Sequence, residues 1–154
     1  MEKSDMVLNG AEREAVEMLH AEGLSCVILN EKESRTHDDV VVVKCRERGV
    51  KDLFRILNES PEVLKGAFVA DKVVGKGAAV LMVKGGVARV YTDVISRPAL
   101  ETFRRYGVET AYGTLADNII NRRGDGICPV ESLCQGLDID DSLERIARFI
   151  ENNK

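Results

Sequence analysis

Five short apolar runs recur along this chain: LSCVIL at residues 24–29, VVVVKC at 40–45, GAFVA at 66–70, VARVYTDVI at 87–95 and VETAY at 108–112. Runs this short and this rich in β-branched residues have the length of buried strands and lack that of core helices. Between most of them the apolar period changes to that of a helix. Ala11, Ala15, Val16 and Leu19 repeat at helical spacing up to Gly23, behind a capping box of Asn9 and Glu12. In RGVKDLFRIL, residues Val50, Leu53, Phe54 and Leu57 share one face, and Pro61 and Gly66 bracket the connection that follows. DKVVGKGAAVLMVKGG reads as a strand feeding a helix that Gly85 and Gly86 close. Ser96 and Pro98 open a further helix that runs through Arg105 and stops at Gly107. A last amphipathic helix carries Leu143, Ile146, Ala147 and Ile150. One helix, two strands and then alternating helices and strands predict a three-layer α/β/α sandwich around a largely parallel sheet. Without repeats or low-complexity tracts, residues 1–154 read as one domain.

Composition narrows the function classes. With 44% hydrophobic residues, no Trp and 5% aromatics, the core is built from Val, Leu, Ile and Ala. A formal net charge of -4 argues against a large nucleic-acid-binding face, with Arg122 and Arg123 as the best local basic patch. No apolar run approaches the roughly 18 residues of a membrane helix. The charged start MEKSDMVLNGAERE has no secretory core, so no membrane partner and a cytoplasmic location are the expectations. Cys26, Cys45, Cys128 and Cys134 lack zinc-ribbon spacing and read as free thiols filling small core positions.

In such sheets, sites form beyond the carboxyl ends of the strands, where helix N-termini present free N–H groups. Two segments fit. In the first, Asp71-Lys72-Val-Val-Gly-Lys76-Gly77, the small residues Gly75, Gly77, Ala78 and Ala79 let a helix approach the sheet. Lys72 and Lys76 lie four apart and share one side of its first turns, favouring an anion. The plainer alternative is a tightly packed helix with two solvated lysines; the phosphate-loop spacing is absent. The second is Asn121-Arg-Arg-Gly-Asp-Gly-Ile-Cys-Pro-Val-Glu131. Arg-Gly-Asp-Gly can form an anion-binding nest, and Pro129 suits the first position of a helix, which puts Cys128 at its N-cap. A thiol facing a helix N-terminus near Arg122 has its thiolate favoured; a turn with a small buried cysteine is the equal alternative. His20-Ala21-Glu22 matches half of the zinc-deaminase signature, but P-C-x-x-C is absent and His20 ends a helix, so His20 reads as a surface residue.

AFVADKVVGKGAA, VYTDVIS and IINRRGDGICPVESL together resemble a small family of uncharacterised prokaryotic proteins with a cytidine deaminase-like fold, over about residues 10 to 136. The resemblance implies a five-stranded mixed sheet with helices on both faces. Deaminases of this fold place H-x-E and P-C-x-x-C at the starts of the second and third helices. Here those positions fall near Arg46–Val50 and Ala70–Lys76, and neither carries a zinc set. The resemblance puts Asp71 and Lys72 where the zinc ligands of relatives stand, and a fold alone supplies no function.

The functional expectation is an enzyme without zinc or another cofactor, acting on a small anionic substrate, nucleotides and their derivatives included. Lys72 is its base or nucleophile, Asp71 orients Lys72, Cys128 is a thiolate nucleophile or polar contact, and Glu131 is a cap or acid/base. Lys76, Asn121 and Arg122 hold the anion. These groups are expected to share one pocket, with Cys26 and Cys45 inert. The alternatives are a binding module without chemistry and a structural subunit. The sequence carries no sign of oligomeric state.

Overall fold

The structure, a computed structural model, describes residues 6–31, 40–47, 50–120, 124 and 126–152. The elements are α1 (Gly10–Ala21), β1 (Cys26–Glu31), β2 (Val40–Cys45), α2 (Lys51–Glu59), a 3-10 turn (Pro61–Val63), β3 (Phe68–Val74), α3 (Lys76–Gly85), β4 (Arg89–Ser96), α4 (Arg97–Arg105), β5 (Glu109–Ala116), α5 (Pro129–Leu133) and α6 (Ile139–Asn152). The capping box at Asn9 forms in both directions. Glu12 N donates to Asn9 Oδ1 at 2.8 Å, and Asn9 N donates to Glu12 Oε1 at 2.9 Å.

The five strands form one mixed sheet in the order β2-β1-β3-β4-β5. β1 runs antiparallel to both β2 and β3, and β3, β4 and β5 are parallel. A three-layer α/β/α sandwich with a five-stranded mixed sheet is therefore present, as expected. Its layers are unequal. Among the described residues α1 alone packs on one face, where Ala15 and Leu19 meet Val27, Leu29, Phe68 and Ala70. The other face carries the larger core, which joins Ile28, Val69 and Val90 to Leu53, Leu81, Phe103, Val130 and Ile146 of the other helices. On that face the register aligns one rung across all five strands: Cys45, Cys26, Asp71, Thr92 and Tyr112. All five are buried.

One boundary departs from the expectation in a way that matters for the site. β3 does not end near Ala70. It continues through Asp71 and Lys72 to Val74, paired with β4 from Thr92 to Ile95. Asp71 and Lys72 are therefore strand residues, not members of the first turns of a helix. Val73 and Val74 suit a pleated strand, and the helix begins only after Gly75. Gly77 does not serve the sheet either. A Cβ there would lie 2.3 Å from Cγ1 of Val130, so the glycine makes room for α5.

Candidate functional site: a carboxylate buried at the start of a helix

Helix α3 starts at Gly75, which adopts extended backbone and has no side chain to cap the helix. Its first free N–H groups need an acceptor from elsewhere. Glu131 supplies it from 55 positions further on: Lys76 N donates to Glu131 Oε1 at 3.1 Å. The Ser96 hydroxyl also donates to Oε1, and Ile119 N donates to Oε2. Ser96 is itself the N-cap of α4, its Oγ accepting from Ala99 N at 3.2 Å. The Glu131 carboxylate is 1% exposed. A buried charge persists only when it is hydrogen-bonded, and three donors plus the positive end of α3 meet that need.

The local chain is built to deliver this group. Pro129 occupies the first position of α5 and Cys128 its N-cap position, as the Cys-Pro order predicts, although the Cys128 side chain makes no capping bond. Cys128 N donates to Ile119 O at 2.7 Å, and Ile120 pairs with Ile127 in an antiparallel bridge. Ile119 and Ile120 are thereby joined to Ile127 and Cys128 beside the start of α3. Val130 packs against Gly77, and Lys76 Nζ donates to Leu137 O at 2.8 Å.

The main-chain N–H of Lys76 thus meets Glu131, with Cys128 half-buried nearby, while the Lys76 ammonium is turned to Leu137 O. Asn121 and Arg122 lie outside the described residues. Asp71 and Lys72 do not converge. Strand alternation sends them to opposite faces, Asp71 with Cys26 and Lys72 beside Asp93 on the α1 side. A pocket shared by both side chains is excluded by that alternation. Asp71 is nevertheless perturbed. Burial pushes its carboxyl up to about 7, opposed by backbone N–H groups of Val73 and Lys72 and aided by the charge of Asp93. Val73 N donates to Asp71 Oδ1 at 3.3 Å.

A second polar group lies on the α1 face. His20 Nε2 sits 2.9 and 2.8 Å from the two oxygens of Asp93, and Tyr91 OH donates to Asp93 Oδ1 at 2.8 Å. Burial, with the hydrogen bond to Asp93, pushes the Tyr91 phenol up to about 12. His20 is exposed, as read from sequence, but it is tied to the sheet. Ser96 and the Ile119 amide are the site groups that sequence reading missed. Ser96 was visible only as a helix opener, and a main-chain donor has no side-chain signature. Among the described residues no group of three or more His, Cys, Asp or Glu is placed to hold a metal ion. A cavity of about 410 Å³, lined by Asn9, Glu12, Gly66, Phe68 and Arg89 among others, lies at the opposite, amino end of β3 and β4. No described helix is long and apolar enough to cross a membrane.

No curated protein matches the chain. A crystal structure of a DUF1893 family protein (TM1506) from Thermotoga maritima is similar, with a TM-score of 0.78 and 22% identity, over 96% of this chain and 95% of that one. A diaminohydroxyphosphoribosylaminopyrimidine deaminase/5-amino-6-(5-phosphoribosylamino)uracil reductase from the same organism matches with a TM-score of 0.40 and 15% identity, over 79% of this chain and 39% of that one. The family model TM1506, domain of unknown function (DUF1893), matches residues 14–153. This chain belongs to the DUF1893 family.

Proposed function

We propose that this chain is a binding module for a small anionic molecule, with the start of α3 as the element that recognises the anion. The observation that supports the reading is Glu131: a carboxylate already occupies the helix end, held by Lys76 N, the Ser96 hydroxyl and Ile119 N. Donors converging on a helix N-terminus accept carboxylate or phosphate, including the phosphate of a nucleotide. Ligand binding here is an exchange, in which the incoming anion takes the donors that Glu131 releases. An internal occupant weakens an external one by mass action, which suits reversible binding better than turnover.

Thermal and urea denaturation of the wild type and Glu131→Ala test this. Removing the carboxylate leaves buried donors unpaired and is expected to cost about 3 kcal/mol. Acetate or inorganic phosphate is expected to restore part of that loss in Glu131→Ala, and nucleoside monophosphates to raise the wild-type midpoint. If no carboxylate, phosphate or nucleotide stabilises either protein, the anion-binding reading is wrong. A second reading, catalysis, rests on Asp71, because a buried carboxyl that titrates near neutrality is a recurrent mark of acid/base sites. It prevails if the protein turns over a nucleotide with a pH midpoint near 7 that Asp71→Asn abolishes.

A further inference from the structure

Cys26 and Cys45 are Cα partners in the β1–β2 ladder. Their side chains leave the sheet on the same face, and both residues join the larger core at 4% and 3% exposure. Directly opposed residues of an antiparallel pair have Cα atoms about 4.5–5.5 Å apart, inside the range of about 4.4–6.8 Å that a disulfide spans. The two thiols therefore face each other across the ladder on the same side of the sheet. Cys128 and Cys134 sit on and beside α5, away from this rung.

We propose that Cys26 and Cys45 are an oxidisable dithiol that closes to an intramolecular disulfide by exchange with a small-molecule disulfide. The order of events follows from the fold. β2 is the end strand of the sheet and has a single neighbour, so Cys45 is uncovered by partial opening of that strand while Cys26 stays between β2 and β3. The Cys45 thiolate attacks one sulfur of the small disulfide, forming a mixed disulfide and expelling one thiolate. Cys26, directly opposite, then attacks the Cys45 sulfur and expels the second thiolate. Two protein thiols lose two electrons and two protons, and the small disulfide is reduced to two thiols. Cys26 is the slower thiol. The adjoining Cys45 sulfur, which favours the protonated Cys26, its burial and the nearby carboxylates of Asp71 and Asp52 all push its pKa up. It is therefore suited to the second, intramolecular step, where proximity replaces intrinsic reactivity. The product staples the edge strand to β1 next to Asp71.

The full chain is equilibrated in buffers of reduced and oxidised glutathione, quenched in acid, alkylated, digested and read by mass spectrometry. The expected product is one peptide pair joined through Cys26 and Cys45, two hydrogens lighter than its reduced parts, with a raised urea midpoint that excess dithiothreitol reverses. The Cys26→Ala protein is expected to give only a glutathione adduct on Cys45. Refolding from denaturant in the same buffers removes the access barrier, so both thiols staying free after refolding overturns the proposal. A linkage through Cys128 or Cys134, or between chains, overturns it equally.

Discussion

Asp71 and Cys128 show how far a single residue can be read from its neighbours in the chain. Cys128 stands where the Cys-Pro order puts it, at the start of α5, because Pro129 is suited to a first helical position by its own ring. Its neighbours in the chain suggest that Asp71 orients Lys72, yet its environment comes from β1 and β4, which pair with it across the sheet. That environment has a testable consequence. Burial pushes the folded Asp71 carboxyl up to about 7, from the ordinary 3.8 of an exposed aspartate. Below the unfolded value both states are protonated and the group has no effect. Between the two values the folded state holds a proton that the unfolded state has lost, so stability falls as pH rises through this window and then levels. At 1.36 kcal/mol per unit, the full shift corresponds to at most about 4 kcal/mol. Asp71→Asn keeps an acceptor for Val73 N and removes the titration. Its urea midpoint relative to wild type is expected to rise between pH 4 and pH 8. A difference that stays flat across that range refutes the assignment.

At the scale of elements, the sequence marked where each strand and helix lies better than where it stops. The five apolar runs all became strands, and Gly23, Gly66, Gly86 and Gly107 adopt the positive φ that their positions as stops suggest. β3 ran four residues longer than its apolar run because Asp71–Val74 have a partner strand waiting in β4, a long-range fact that local composition does not contain. The same limit hid the pairing of α3 with α5. Gly77 lies in the first turn of α3, and within helices alanine is ordinarily preferred over glycine, by up to about 1 kcal/mol in the interior. Here a Cβ would lie 2.3 Å from Val130 Cγ1, so packing outweighs propensity. Gly77→Ala is expected to destabilise by about 1–3 kcal/mol, the usual cost of overpacking. In a Val130→Ala background the same change is expected to be neutral or stabilising. Urea denaturation of the four proteins closes the cycle, and additive effects of the two changes are the result that contradicts this contact.

Among the described residues the molecule is asymmetric: α2 to α6 share one face of the sheet, and α1 alone protects the other. A lone helix over a small apolar cluster opens at lower free energy than helices that pack against each other. What counters this is a clamp at each end. At the start of α1, Arg89 Nε donates to Glu12 Oε2 at 2.8 Å, while its other nitrogens reach Glu109 Oε2 at 2.6 Å and Val7 O at 2.8 Å. At the end, His20 meets Asp93. The two clamps differ in kind. His20 and Asp93 are partly exposed and contribute little. Glu12 is buried at 5% side-chain exposure, so losing Arg89 strands a carboxylate that also closes the capping box. Arg89→Gln is therefore expected to speed amide exchange across α1 by an order of magnitude or more, while α3 and α4 keep their protection. His20→Gln is expected to change α1 exchange by less than about threefold, in line with an exposed pair worth well under 1 kcal/mol. Native-state hydrogen exchange read by mass spectrometry on both variants separates the two. Equal acceleration in α1 and α3 for Arg89→Gln shows global destabilisation, and the lone helix is then no separate opening unit.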